Sequence, residues 1–199
     1  MMRTPIQIRP AQPADAEVAA ALLYSAYTHT PVTVPLRTTP ESDWVEHLKS
    51  YFGRADNRFS YQSIQVAVEG TAVVGLVLSF GGRDEPRLNA AVGPWLEHEA
   101  EADEWYIDAL AVLQNWSRQG IGTYLLNAAE QQARLHHYAR VALHVAQGNQ
   151  PALAFYAHQH YVVTGQAVLY HHPFVRMGKT LERTEPGDDG TASAREPAR

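Results

Sequence analysis

"VLQNWSRQGIGTYLL", residues 112–126, decides how the rest of the chain is read. Before it stands "EWYIDALAVL" (104–113), a mostly apolar run of strand length. After it Ile121, Leu125, Ala128, Gln132 and Leu135 recur at helical intervals, predicting a helix from about Gly120 to about Tyr138. "VALHV" (141–145) is β-branched and reads as a strand again. Strand, helix and strand in that order form a crossover, so the two strands are parallel and the connection is right-handed. Gly120 and Gly122 sit where the helix begins. A helix start presents unpaired N–H groups and a partial positive charge, which suits phosphate, and glycine lets an anion approach the backbone. Residues 117–123 therefore predict a seat for a phosphate-bearing ligand, with Arg118 adding charge and Thr123 a hydroxyl. A tight strand-to-helix turn that binds nothing is the competing reading. A P-loop needs Lys and then Ser or Thr after its last glycine, whereas Ile121 and Thr123 flank Gly122. A dinucleotide fingerprint needs Gly or Ala three residues after Gly122, and position 125 is Leu.

Outward from this unit, "IQIRP" (6–10) reads as a first strand. Asp15 then stands as an N-cap before "AEVAAALLYSAY", with Val18, Leu22 and Ala26 on one face. Residues 28–40 form a Thr- and Pro-rich loop, and Thr39 with Pro40 marks the next helix, whose stripe is Trp44, Leu48 and Tyr51. "IQVAV" and "AVVGLVLSF" flank "EGT" as a hairpin. Residues 81–103 are long for a hairpin connection and read as a functional loop. "NQPALAFYAHQH" is a short helix, and "YVVTGQAVLY" and "PFVRMGKTL" are closing strands. The order β-α-α-β-β-β-α-β-α-β-β predicts an α/β (α+β) domain over residues 1–181. Its central sheet is mixed and mostly antiparallel, with helices on both faces. Residues 182–199 hold no Val, Ile, Leu, Met or aromatic residue and are expected to be a disordered tail.

Composition bounds the function. The chain has 199 residues, 45% of them hydrophobic, which is enough for one sizeable core. With 16 basic and 21 acidic residues the net charge is −5, which argues against a nucleic-acid binder. The absence of cysteine excludes disulfides and protein thiol chemistry. No signal-like N-terminus and no apolar run near the roughly 20 residues of a membrane helix is visible, so a cytoplasmic protein without membrane contact is expected.

"LAVLQNWSRQGIGTYLL" resembles the central motif of the GNAT superfamily of acyl-CoA N-acyltransferases, in which an apolar strand end precedes a (Gln/Arg)-x-x-Gly-x-(Gly/Ala) loop that opens a helix. Gly120 and Gly122 match the two glycine positions, and Ser117 stands where Gln or Arg is usual. "VALHVAQGNQPALAFYAHQHY" looks like the next motif of the same family. Asn149, Tyr156 and Tyr161 match its Asn, helix Tyr and aromatic, and His160 replaces the customary Gly. The resemblance covers residues 6–180. It implies that acetyl-CoA, as acyl donor, lays its pyrophosphate on Ser117, Arg118, Gln119, Gly120, Ile121, Gly122 and Thr123. Pantetheine would follow Leu110, Ala111 and Val112, with the main-chain N–H near Val112 aimed at the acetyl oxygen, and Asn149 and Tyr156 would complete the donor site. A bulge in that strand is implied to splay it from its parallel neighbour.

The same resemblance makes Tyr156 the general acid toward the departing thiolate; a tyrosine plugging the core is the plainer reading. By strand alternation Tyr106, Asp108 and Leu110 share a face. Asp108 is a candidate general base or substrate anchor, against a carboxylate that pairs with an arginine or pins a loop. Glu104 is the second candidate base, and Tyr106 a candidate for lining the acceptor site. Glu97, Glu99, Glu101, Asp103, Glu104 and Asp108 form a run without Lys or Arg, either a solvated face or an attraction for a cationic acceptor. His158, His160, His171 and His172 lack the spacing of a ligand set, so no metal is expected. His144 reads as a hydrogen-bonded structural residue, with the acceptor side as its alternative. The expected function is direct transfer of acetyl from acetyl-CoA to a primary amine of a small molecule or peptide. The alternatives are a non-catalytic CoA-binding sensor and a subunit whose exposed sheet and tail serve assembly. The oligomeric state stays open, a homodimer being one option.

Overall fold

The computed structural model describes residues 5–28 and 40–182. Its seven strands are β1 (Ile6–Pro10), β2 (Ile64–Glu69), β3 (Ala72–Gly81), β4 (Trp105–Val112), β5 (Arg140–Ala146), β6 (Val162–Leu169) and β7 (His172–Thr180). Five helices accompany them: α1 (Ala16–Thr28), α2 (Glu41–Phe52), α3 (Glu85–Ala90), α4 (Ile121–Leu135) and α5 (Gln150–His158). The strands form one sheet in the order β1-β2-β3-β4-β5-β7-β6. Among these pairs β4 with β5 is parallel and the rest are antiparallel, the mixed sheet expected of a hairpin followed by a crossover.

Each face of the sheet has its own core. Ile121, Leu125, Leu126, Ala129 and Ala133 of α4 pack on Val74, Val77, Ile107, Val141 and Leu143. Leu22 and Leu23 of α1 and Trp44, Leu48 and Phe52 of α2 cover Ile64, Val66, Leu76 and Leu78 on the other side. Each such aliphatic residue contributes roughly 1.5–3 kcal/mol of burial, so the two faces lock the sheet between helical layers.

Several expectations shift by a residue or a turn. In α1 the inward face runs through Ala19, Ala20, Leu22 and Leu23, and Val18 is exposed. α4 ends at Leu135 rather than Tyr138, and Leu135 faces solvent because the buried row drifts to Ala129 and Ala133. Pro40 is itself the N-cap of α2, and Thr39 lies outside the described residues. The long connection at 81–103 is not all loop. It contains a 3₁₀ turn at Gly82–Asp84 and the one-and-a-half-turn α3. The tail expected to be disordered falls, but for Glu182, outside the described residues. No described helix is long and apolar enough to cross a membrane.

Candidate functional site

The site begins where β4 and β5 part. Their parallel pairing is confined to Trp105 with Val141 and Tyr106 with Ala142. On its other edge β4 is bulged: Ser79 of β3 pairs with Ile107 and Leu78 with Ala109, leaving Asp108 as the extra residue. A bulge bends its strand and resets the pleat. Before it, Trp105 and Ile107 face α4; after it, Leu110 and Val112 do, while Ala109 and Ala111 turn to α1 and α2. Strict alternation therefore fails at Asp108, yet Tyr106, Asp108 and Leu110 all line one cleft. The cleft holds a cavity of about 160 Å³ and is continued by His144 and Ala146 of β5, Asn149, and Tyr156 of α5.

The start of α4 lies beside Leu110 of the cleft, whose Cδ2 would be 3.8 Å from a Cβ on Gly122. Its N-cap, Gly120, is left-handed (φ 79°) and no side chain caps the helix. Tyr124 donates its N–H to the Gly120 carbonyl at 3.1 Å, so the N–H groups ahead of it have no intrahelical acceptor. A side chain on Gly120 would point into open space, so the glycine answers to backbone conformation and not to protein packing. Gly122 lies against the Phe155 ring, where an added Cβ would make an ordinary 3.4 Å contact. Arg118 (φ 59°) is left-handed as well, and so is His160 (φ 67°), which explains why glycine is the usual residue at that turn. Asn149 caps α5, accepting the Ala152 N–H at 3.2 Å.

Tyr156 is buried beside Phe155 and Tyr161, with ring centroids 5.1 and 5.7 Å away. Its hydroxyl makes no hydrogen bond among the described residues and is not sealed off from solvent. Burial pushes its pKa above the ordinary phenol value, so it is protonated at neutral pH.

The other end of the cleft is a buried ionic network. Arg58, on the stretch between α2 and β2, is 1% exposed. Its Nη2 and Nε donate to the two oxygens of Asp108 at 2.6 and 3.0 Å. Nη2 also reaches Glu99 at 2.8 Å, and Nη1 reaches Glu85 and Asn89. Tyr27 of α1 donates to Asp108 at 2.7 Å. Tyr170 and Tyr106 donate to the two oxygens of Glu99 at 2.6 and 2.7 Å. Glu85 accepts the main-chain N–H groups of Glu99 and Ala100, so α3 clamps the connection over the cleft. Three carboxylates against one guanidinium leave this end net negative.

The candidate bases separate. Asp108 lines the cleft, but both of its oxygens are engaged, the arginine-paired arrangement. Glu104 does not line the cleft; it is 1% exposed, pairs with Arg176 and accepts the Glu101 N–H. The acidic run is divided. Glu99 and Asp108 point inward, Glu97 accepts the Tyr170 N–H, and Glu101 and Asp103 pair with Arg140 at the surface. His144 faces the cleft, its Nδ1 3.0 Å from the Tyr106 hydroxyl. Burial first, and then the charge of Arg176, hold its pKa down at about 4. Nothing in the sequence singles out Arg58, Tyr170 or Trp95, which also line the cleft, and Trp44 is legible there only as part of a helix stripe. Among the described residues no cluster of His, Asp and Glu is arranged to hold a metal.

Comparison with known proteins agrees with this architecture. A crystal structure of an N-acetyltransferase from Staphylococcus aureus Mu50 superposes with a TM-score of 0.76 at 25% identity, over 87% of this chain and 100% of that one. YncA of Salmonella typhimurium, solved with its cofactor acetyl-CoA, gives 0.59 at 16% identity over 92% and 98% of the two chains. PaiA N-acetyltransferase of Thermoplasma acidophilum, solved with coenzyme A, gives 0.56 at 14% identity over 89% and 100%. No curated protein sequence matches the chain. The sequence model of the Acetyltransferase (GNAT) family matches residues 23–161, which span β4, the glycine loop, α4, β5 and α5, and the chain belongs to that family of acyltransferase enzymes.

Proposed function

We propose that this enzyme transfers the acetyl group of acetyl-CoA directly to a primary amine carried on an apolar body. The observation that carries the reading is the continuous cleft between the parted strands β4 and β5. It runs from Leu110 and Tyr156 to the net-negative end at Glu99 and Asp108. Acetyl-CoA supplies an activated acyl group on a good leaving thiolate. The residues present fit it: the uncapped start of α4 offers main-chain N–H groups to a pyrophosphate, and the unpaired edge of β4 offers N–H and C=O groups to an amide-bearing arm. Tyr156, protonated and without a partner among the described residues, stands ready to give its proton to sulfur.

The acceptor end supports an apolar amine. Trp44 and Trp95 meet edge to face at 5.8 Å, and Tyr27 and Phe59 do so at 5.9 Å. The negative end draws an ammonium toward the cleft, and apolar walls favour its entry as the free amine. One observation favours the alternative of a CoA-binding sensor: both carboxylates expected as the base are held in ion pairs. Thiol release from acetyl-CoA, measured over a panel of amines, decides. Aralkyl and branched alkyl amines are expected to turn over with the highest kcat/KM. Tight CoA binding with no thiol release from any amine would establish the sensor, and activity restricted to polyamines would overturn the acceptor class.

A further inference from the structure

We propose that His144 is the general base of this transfer, held by Tyr106 and Glu99 in the tautomer that leaves Nε2 bare. The inference rests on the transfer reading above and supplies the base that Asp108 and Glu104 do not.

Counting protons sets the tautomer. A phenol has one hydrogen to donate. Tyr106 gives it to Glu99 Oε2 at 2.7 Å, so toward His144, 3.0 Å away, the same oxygen acts as acceptor. Nδ1 must then carry hydrogen, and Nε2 has only its lone pair. Burial raises the pKa of Glu99, while the charge of Arg58 and the hydroxyls of Tyr170 and Tyr106 favour its carboxylate form, the form this assignment takes. Nε2 has no partner among the described residues. The two buried side-chain polar atoms without one are both indole nitrogens, so Nε2 is not walled in.

Every charged or titratable neighbour is consistent with the role. Tyr106 approaches from β4, with Glu99 and Tyr170 behind it. Arg176, the register partner of His144 on β7, is itself paired with Glu104 and Glu101. Tyr156 lines the same cleft from α5. His144 is thus neutral from about pH 5 upward, its pKa held at about 4 by burial and Arg176. A base this weak does not strip a resting ammonium. It takes the proton as the C–N bond forms and the nitrogen becomes acidic. The carbon–sulfur bond breaks with its electron pair on sulfur, and the thiolate takes the Tyr156 proton. His144 releases its proton to solvent, and Tyr156 recovers one from there. While His144 is charged, Nδ1–H to Tyr106 to Glu99 is a relay that places a carboxylate behind the imidazolium.

Two measurements on the full chain test this. Nitrogen-15 NMR of the ligand-free protein, with the His144 ring assigned by its loss in His144→Asn, is expected to show Nδ1 protonated and Nε2 bare; the reverse tautomer overturns the proposal. Tyr106→Phe, which removes the acceptor for Nδ1–H, is expected to abolish that preference; an unchanged tautomer overturns the positioning role of Tyr106. The second measurement uses His144→Asn kinetically, because the Asn amide can still donate to Tyr106 but offers no base. Its kcat is expected to fall on the order of 100-fold, with acetyl-CoA affinity retained. Turnover by wild type and His144→Asn alike overturns the base and leaves the transfer reading standing. Absence of turnover by wild type over the whole amine panel overturns the transfer reading itself, while the tautomer remains measurable.

Discussion

Arg58 and Asp108 are 50 residues apart in sequence and form a two-point ion pair, Nη2 to Oδ1 at 2.6 Å and Nε to Oδ2 at 3.0 Å, with both side chains at most 3% exposed. The pair ties the stretch before β2 to the bulged residue of β4, so it fixes the strand break from which the cleft opens. Such a pair is weak evidence of net stabilisation, but breaking it is costly, because the remaining charges stay buried and uncompensated.

Arg58→Leu leaves Asp108 and Glu99 without their cation. It is expected to lower the unfolding free energy by about 3–5 kcal/mol, read from urea denaturation at pH 7. Because the penalty comes from carboxylates left charged, it should shrink as the pH is lowered through the range in which they protonate. A loss below about 1 kcal/mol would show that water replaces the guanidinium.

The reach of the sequence follows from which interactions are local. The glycine loop was legible because an uncapped helix start is made by neighbours in sequence, from Ser117 to Thr123. The parallel pair was legible because a strand–helix–strand unit permits one handedness. Asp108 was visible as a carboxylate in an apolar strand, but its partner lies between α2 and β2 in a stretch with no periodicity. Which of the six carboxylates from Glu97 to Asp108 face inward was equally hidden. Residues 97–103 have no repeating pattern, and the bulge then reverses the alternation that strand reasoning relies on. The sequence reads His144 as structural because nothing local shows that its Nδ1 meets Tyr106 while the ring lines the cleft.

Gly120 separates backbone conformation from ligand binding. Its φ of 79° costs a side-chain-bearing residue roughly 1–2 kcal/mol, and no atom of the described residues lies within 4 Å of where its Cβ would stand. Gly120→Ala is therefore expected to fold with a loss of that size in a thermal or urea melt. Gly120→Glu should fold equally well but lose measurable acetyl-CoA affinity by calorimetry, because it sets a negative charge where the phosphates are proposed to lie. Unchanged affinity in the Glu variant would place the phosphates elsewhere.

Gly82 tests whether the connection at 81–103 builds the acceptor end. A Cβ there would stand 1.9 Å from the Glu101 carbonyl oxygen, a main-chain atom that cannot turn aside. Gly82→Ala must push the segment carrying Glu99 away from β3 and β4. The expected result is a raised KM for the amine with acetyl-CoA affinity unaltered, since the loop before α4 is not touched. An equal loss for both substrates would mean that the whole sheet, and not the connection, has shifted.

Tyr156 offers the last separation, between core packing and proton donation. Its hydroxyl bonds no described residue, so Tyr156→Phe removes no intramolecular contact and should leave the melting temperature and acetyl-CoA affinity close to wild type. As general acid its loss is expected to lower kcat by roughly 100-fold or more. Burial raises the phenol's pKa above its ordinary value of 10, and a raised pKa moves the loss of the donated proton to higher pH. The wild-type kcat should accordingly stay level through pH 9, and an alkaline fall centred below that value would assign the proton to another group. A Phe variant with wild-type kcat would leave Tyr156 as a packing residue beside Phe155 and Tyr161 and hand protonation of the thiolate to water.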